Sequence, residues 1–256
     1  MIDASAIVSA GAQLADDVEV GPFTVIGADV VIGPRCWIGP HAVVTGHTTI
    51  GADSKIFPFA SIGGAPQDKK YGGGPTRLVI GERNVFREFC TINRGATPDH
   101  GLTRIGDDNL FMAYTHVAHD CTIGNNVVMV NYAGLAGHVE LGDWVILSGY
   151  TGVHQFCKIG AHAFTAALSG VTRDVPPYIM AIGQPAVPHS INSEGLKRRG
   201  FTPEQIRNLR HAYRILYRSD LPLATAVEQL TALAPTQAEL TPLLEFIAAS
   251  ERSLIR

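Results

Sequence analysis

The chain has 256 residues, 46% of them hydrophobic and 17% charged, with a formal net charge of −3. That balance describes a folded protein of one or two domains, and without a long Lys/Arg run it argues against a nucleic-acid or membrane-surface role for the chain as a whole. The opening "MIDASAIVSAGAQLADD" has no charged region followed by an apolar segment, and no stretch of about 18 apolar residues occurs, so a cytoplasmic location and no integral membrane segment are expected.

A six-residue step from the N-terminus meets Ile2, Val8, Leu14, Val20, Ile26, Ile32, Ile38, Val44, Ile50, Ile56 and Ile62 without a miss. The pattern resumes at Ile80, Phe86 and Ile92. After a one-residue change of phase it runs from Ile105 through Phe111, Val117, Ile123, Met129, Leu135, Leu141, Leu147 and Val153 to Ile159. Residues 63–79 and 93–104 interrupt it. A helix of period 3.6 cannot keep a six-residue repeat on one face, whereas short strands joined by corners can. The expectation is an all-β solenoid, a parallel β-helix of hexapeptide repeats over residues 1–190 with three hexads to a coil of 18. The slot two before each aliphatic is small or β-branched and should point inward as well. Cys36, Cys90, Cys121 and Cys157 all fall in that slot, which reads them as buried small hydrophobes rather than ligands or disulfides.

Past residue 190 the hexads give way to helical signals, and a C-terminal α-helical domain over 191–256 is expected. Thr202, Pro203 and Gln205 form a start signal for a helix with an apolar stripe of Ile206, Leu209, Tyr213, Leu216 and Tyr217. Two more short helices should follow. From Glu194 to Arg218 seven Lys/Arg face two acids, so this stretch is either a solvated face or the dock for an acidic partner.

Residues 18 apart should stand in successive coils about 4.8 Å apart. His119, Gly137 and Gln155 then form one column, with a gap at Gly137, and His116, His138 and His154 lie beside it. One reading of this cluster is a zinc site on His116, His119 and His138, as in γ-class carbonic anhydrases. The other is acid/base catalysis, in which a neutral imidazole takes a proton from a hydroxyl while backbone N–H groups at the Gly137 gap hold an oxyanion. The second layout suits acyl transfer and needs no metal.

The motifs "IGPF", "QDKKYGGGPTRLVIG", "HVAHDCTIGN", "LAGHV", "VHQFCKIGAH", "DVPPY" and "NSEGLKRRGF", with a tail ending "LIR", span essentially the whole chain. In them the chain resembles the cytoplasmic UDP-N-acetylglucosamine O-acyltransferases that begin lipid A synthesis. The resemblance implies a left-handed three-sided helix and a homotrimer with active sites between neighbouring subunits. It also implies transfer of a (3R)-3-hydroxyacyl group from an acidic acyl carrier protein to the sugar 3-hydroxyl, with no cofactor. It makes His119 the general base, Asp120 its orienting carboxylate and Gly137 the oxyanion glycine. His116, His138, His154 and Gln155 match residues lining the sugar and acyl sites, and Asp68 and Lys70 match groups near the sugar and phosphates. Asn192, Glu194, Arg198 and Arg199 match the nucleotide and carrier-binding end.

Chain length is expected to be set at Ala167, where long-chain relatives have glycine, with Phe164 intruding on the same groove. Ala167 lies 48 residues past His119, about 13 Å along the axis, which accommodates about ten acyl carbons. Two departures stand out. "TINRG" places Asn93 where most of the family has histidine, which leaves open a 3-amino sugar as acceptor, and the loop "GATPDHGLTR" is shortened. A coenzyme A-dependent acetyltransferase of the same repeat class lacks the long basic tail, and the N-acyltransferase sibling carries an extra N-terminal domain, whereas hexads here begin at Ile2. A purely structural β-helix has no use for four histidines at one edge.

Overall fold

The computed structural model describes residues 1–97 and 101–256. Strands of mostly two residues stack into three parallel sheets, and the chain visits them in fixed rotation. The first face holds nine strands, from Ile7–Val8 to Gly170–Val171; the second holds eight, from Gln13–Leu14 to Lys158–Ile159; the third holds ten, from Glu19–Val20 to Val187–Ile191. Ile7 pairs with Val25, Gln13 with Val31 and Glu19 with Trp37, so one coil is 18 residues, as the hexads require. The result is the expected left-handed parallel β-helix with a helical C-terminal region.

The repeat closes because the aliphatic of each hexad and the residue two before it both turn inward. Ile26, Ile38, Val44, Ile56, Ile62, Ile92, Val117, Met129 and Leu147 are sealed from solvent, as are Val30, Ala42, Ala60 and Ala133 in the smaller slot. All four cysteines are free and buried there, and burial raises each thiol above its ordinary value. Ile2 departs from the pattern at 51% exposure, because the first coil has no neighbour beneath it. At the other end Val187–Ile191 runs antiparallel to Ile179–Ile182 and terminates the third face. That strand covers an edge that would otherwise be open to further pairing.

At the corners a residue enters the left-handed region of backbone space, for instance Tyr114 (φ 64°), Asp120 (57°), Tyr132 (63°) and His138 (61°). Left-handed backbone is costly for residues with a Cβ. Here the cost is offset by the coil-to-coil backbone ladder, such as Ala118 N–H to Leu135 O at 3.1 Å. Many corner side chains project outward, Tyr114 and Tyr132 at 46% exposure among them, whereas Asp120 is buried.

Both interruptions leave the solenoid at the corner between the first and second faces. Ser61 pairs with Thr91 at an offset of 30 and Thr91 with His116 at 25, so 12 and 7 residues are inserted into the 18-residue coil. The first protrusion lies between Gly64 and Arg77 and the second between Asn93 and Leu102. Part of the "GATPDHGLTR" loop, residues 98–100, lies outside the described residues.

Four helices follow: α1 (Ser193–Arg198), α2 (Pro203–Tyr217), α3 (Leu223–Leu233) and α4 (Thr241–Ala248). Thr202 and Gln205 form the reciprocal cap at the start of α2, and Ile206, Leu209, Ala212, Ile215 and Leu216 bury its apolar side. Among the described residues no helix is long and apolar enough to cross a membrane.

Candidate active site

His119 sits at the corner between the first and second faces, just after the strand His116–Val117. Its Nδ1 lies 2.8 Å from Asp120 Oδ2, and the Asp120 side chain is fully buried. Asp120 accepts two further bonds, from Ala96 N–H to Oδ2 at 3.0 Å and from Leu102 N–H to Oδ1 at 3.2 Å, while its own N–H donates to Thr103 Oγ1 at 2.9 Å. Both oxygens of the buried carboxylate are thus hydrogen-bonded by the second protrusion, and an ionised acceptor is suited to that surround. With Nδ1–H donated to Asp120, His119 keeps an acceptor lone pair on Nε2.

Gly137 lies one coil above. A Cβ built there would stand 2.7 Å from His119 Cε1 and 2.8 Å from Nε2. The space expected to be open at Gly137 is therefore taken by the imidazole itself, and only a glycine lets the ring lie against that backbone. The Gly137 N–H donates to no atom among the described residues. His138, in the column of Asp120, meets His119 edge-on at 5.2 Å between ring centroids and stacks on Phe156 at 4.5 Å; its Nε2 is 3.9 Å from Asp120 Oδ2.

His116 stands on the first face, half-buried, with Nδ1 2.7 Å from Thr91 Oγ1. Burial lowers its pKa below the ordinary histidine value, against an opposing hydrogen-bond contribution from Thr91, so it is neutral at pH 7. Among the described residues, the three groups whose ligand atoms lie within 4.8 Å of one another are His119, Asp120 and His138, not the set with His116 expected for zinc. A cation there would compete with the three N–H bonds that Asp120 already accepts.

Asp68 and Lys70 lie in the first protrusion, where the Lys70 N–H donates to Asp68 Oδ1 at 2.9 Å. That protrusion is braced from the second. Arg94 donates to Gly63 O at 2.9 Å and to Tyr71 Oη at 3.2 Å, and Asn93 Nδ2 donates to Ala65 O at 3.0 Å. Asn93 is buried, and its Oδ1 has no donor among the described residues. In this chain the asparagine therefore carries a scaffold duty that the sequence did not suggest. His154 and Gln155 extend the edge two coils above His119 and are exposed.

The remaining expected residues lie on other edges. Asn192 is 5% exposed and caps α1, accepting from Gly195 N–H at 3.2 Å while its Nδ2 donates to His162 O at 2.9 Å. Arg199 packs over Trp144 with 5.1 Å to the ring centroid and reaches His162 Nδ1 at 3.3 Å. Glu194 pairs with Lys197 at 2.7 Å, and Arg198 is exposed. Trp144 and His162 mark the corner between the second and third faces, so this group is a third of a turn from His119. Phe164 lies on the third face, and Ala167 is exposed at the corner between the third and first faces. Its 48-residue offset from His119 is two coils plus two sides of another. Within one chain no edge holds both residues.

Sequence reasoning missed Thr91, Arg94, Thr103 and the amides of Ala96 and Leu102. Thr103 carried a signal, since it fills the inward slot two before Ile105 with a hydroxyl. Backbone amides carry none.

The family model described as "Udp N-acetylglucosamine O-acyltransferase; Domain 2" matches residues 174–255, and the bacterial transferase hexapeptide model matches residues 29–64 and 102–137. The chain is 57% identical over 255 residues to a protein of Thiobacillus denitrificans, with 100% of this chain and 99% of the relative covered. It is 59% identical over 260 residues to one of Janthinobacterium, with the same coverage. Both bear the name acyl-[acyl-carrier-protein]--UDP-N-acetylglucosamine O-acyltransferase. Among solved structures, the UDP-N-acetylglucosamine acyltransferase of Francisella novicida superposes with a TM-score of 0.97 at 42% identity, covering 100% of this chain and 94% of the other. The O-acyltransferase of Moraxella catarrhalis superposes at 0.98 and 41%, covering 100% and 99%. Full-length identity at this level, on the same coil, shows that the chain belongs to the family of UDP-N-acetylglucosamine O-acyltransferases.

Proposed function

We propose that this protein transfers a (3R)-3-hydroxyacyl group from acyl carrier protein to the 3-hydroxyl of UDP-N-acetylglucosamine, the first step of lipid A biosynthesis, without a metal or cofactor. The observation that carries the chemistry is the 2.8 Å contact of His119 Nδ1 with the buried Asp120, which leaves Nε2 facing Gly137 as an acceptor. Nε2 takes the proton of the sugar hydroxyl as its oxygen attacks the thioester carbonyl. The Gly137 N–H donates to the oxyanion that forms, and collapse of the tetrahedral species expels the carrier thiolate, which recovers the proton from His119. Asp120 holds the ring and supports its charged form.

The site is shared between chains of a homotrimer in this reading, which brings the edge bearing His119 against two surfaces that are remote from it in one chain. One is the Asn192, Glu194, Arg198 and Arg199 group, which takes the nucleotide and the carrier end; the other is the edge bearing Ala167. The latter edge carries the exposed aromatics Phe59, Phe89, Tyr114, Tyr132 and Tyr150, between 43% and 57% exposed, a stripe suited to a buried contact or an acyl chain. Asp68 and Lys70 lie near the sugar and phosphates, and His116, His138, His154 and Gln155 line the sugar and acyl sites. The basic side of α2, with Arg207, Arg210, Arg214 and Arg218, receives the acidic carrier, and the reaction takes place in the cytoplasm.

The test is conversion of radiolabelled UDP-N-acetylglucosamine by the purified protein with a 3-hydroxyacyl carrier protein, with and without chelator. Chelator-insensitive turnover supports the reading, and loss of turnover with recovery on zinc overturns the metal-free mechanism. The 3-amino sugar nucleotide run in parallel decides whether Asn93 marks a changed acceptor. Arg210→Glu with Arg214→Glu should raise the carrier KM at low salt and leave the sugar KM unchanged, an effect that fades as salt screens it.

A further inference from the structure

After α4 the last residues turn back to the edge that bears His119. Ser250 Oγ donates to Asp174 Oδ2 at 2.7 Å, Asp174 N–H donates to Ser253 O at 3.0 Å and Ile255 N–H to Asp174 O at 2.9 Å. Asp174 is fully buried, its Oδ1 accepts from Lys158 N–H at 2.8 Å, and it precedes Val175, which bridges to Ile159 on the second face. Leu254 and Ile255 are buried at 6% and 2% exposure, and Arg256 donates to Leu221 O. The tail is therefore fastened on both sides of Arg252.

That fastening delivers the Arg252 guanidinium to the rim of the edge. Its Nη1 donates to Gln155 O at 2.7 Å and stands 3.1 Å from His154 Nδ1. Guanidinium has donors only, so in this contact His154 Nδ1 must be the acceptor and the ring proton must sit on Nε2. The carbonyl of Gln155, 3.1 Å from the same Nδ1, could be served only by an Nδ1–H, so the two contacts are alternatives, and Arg252, which already donates to that carbonyl, favours the bare Nδ1. His119 is in the opposite state, with Nδ1–H committed to Asp120 and Nε2 an acceptor. About 10 Å apart along one edge, two imidazoles would then present opposite polarity to whatever lies between them.

We infer that Arg252 is a positioning residue that holds His154 in the Nε2–H form, so that the edge offers an acceptor at His119 and a donor at His154 to oxygens of the bound sugar nucleotide. The substrate half of this inference rests on the function proposed above; the tautomer half does not. The test is a long-range proton–nitrogen correlation spectrum of the full-length protein with nitrogen-15 histidine, alongside steady-state kinetics. In the native protein His154 should show a bare Nδ1 and a protonated Nε2. Arg252→Ala should mix the two forms, raise the sugar-nucleotide KM about tenfold, the size of one lost hydrogen bond, and change kcat less. Added guanidinium ion at concentrations below those that unfold the protein should restore both readouts in part. Ser250→Ala, which loosens the tail without touching the guanidinium, should move both in the same direction by less, and Glu251→Ala should move neither. A native His154 protonated on Nδ1, an Arg252→Ala spectrum unchanged from the native one, or a KM unchanged despite a shifted tautomer overturns the inference. Absence of turnover in the native protein, with the spectra as expected, would instead fault the proposed reaction.

Discussion

Two edges of the same solenoid contrast sharply. Where the third face turns into the first, Phe23, His41, Phe59, Phe89, Tyr114, Tyr132 and Tyr150 stack coil after coil with ring centroids 4.7–5.2 Å apart. Where the first face turns into the second, the ring contacts among the described residues are confined to the short run of His119, His138 and Phe156. That edge carries the two insertions, a glycine against an imidazole and a buried carboxylate bonded by loop amides. A corner that repeats uniformly earns stability from every coil, about 0.5–1.5 kcal/mol per stacked pair. A corner that holds chemistry must break the repeat, because each group needs a different neighbour.

The largest expected effect tests that division directly. His119→Ala should lower kcat by about 10²- to 10⁴-fold with an unchanged melting temperature, the loss of a general base at an edge that adds little to the core. Phe59→Ala should do the reverse, costing about 1–3 kcal/mol through two lost stacks with turnover preserved at low temperature. Thermal melts and kinetics on both proteins decide it, and the same outcome for the two would erase the contrast. Gly137→Ala should approach His119→Ala in its effect on rate, since the new methyl must displace the imidazole.

Asp120→Asn sharpens the comparison because Asp120 anchors the second protrusion and also carries the orienting role proposed for it. The amide keeps one acceptor but turns an N–H toward the Ala96 or Leu102 N–H. It should lower the rate less than His119→Ala and also destabilise by about 1–3 kcal/mol, measured by denaturant unfolding. An unaffected unfolding midpoint would mean that the second protrusion does not lean on the carboxylate.

The third edge supplies a pH test. His162, beside Arg199 and under Phe201, has its pKa lowered to about 4, first by burial and then by the Arg199 charge. An unfolded histidine binds its proton near pH 6.5. Stability from the neutral ring is thus complete above pH 6.5 and is lost as pH falls toward 4, where the unfolded state holds the extra proton. His162→Phe should flatten the pH dependence of the melting temperature in that window; a curve as steep as the native one would place the acid sensitivity elsewhere. The smallest expected effect is Ala167→Gly, which should shift donor preference toward longer acyl chains by removing one methyl from the edge proposed to take the acyl chain, read in competition assays with donors of several lengths.

Much of this is legible in the sequence. A period of six fixes which side chains turn inward and which coil neighbour each has, since backbone pairing at 18 residues is a local, repeating constraint. From it came the buried cysteines, the column of His119, Gly137 and Gln155, and the adjacency of His138. The capped basic helix was legible for the same reason, its signals lying within a few residues of one another. Other features needed the folded chain. The hexad count does not say that both insertions leave at one corner and brace each other through Arg94 and Asn93, that Asp120 is bonded by the amides of Ala96 and Leu102, or that Arg252 returns across 98 residues to His154. Nor did distance along the axis reveal that Ala167 lies on a different edge from His119. By itself the sequence determined the coil and its register, because those repeat with the backbone. Only the tertiary structure decided what surrounds His119 and Asp120, because loop amides and a returning tail are brought there by chain closure, which leaves no periodic trace.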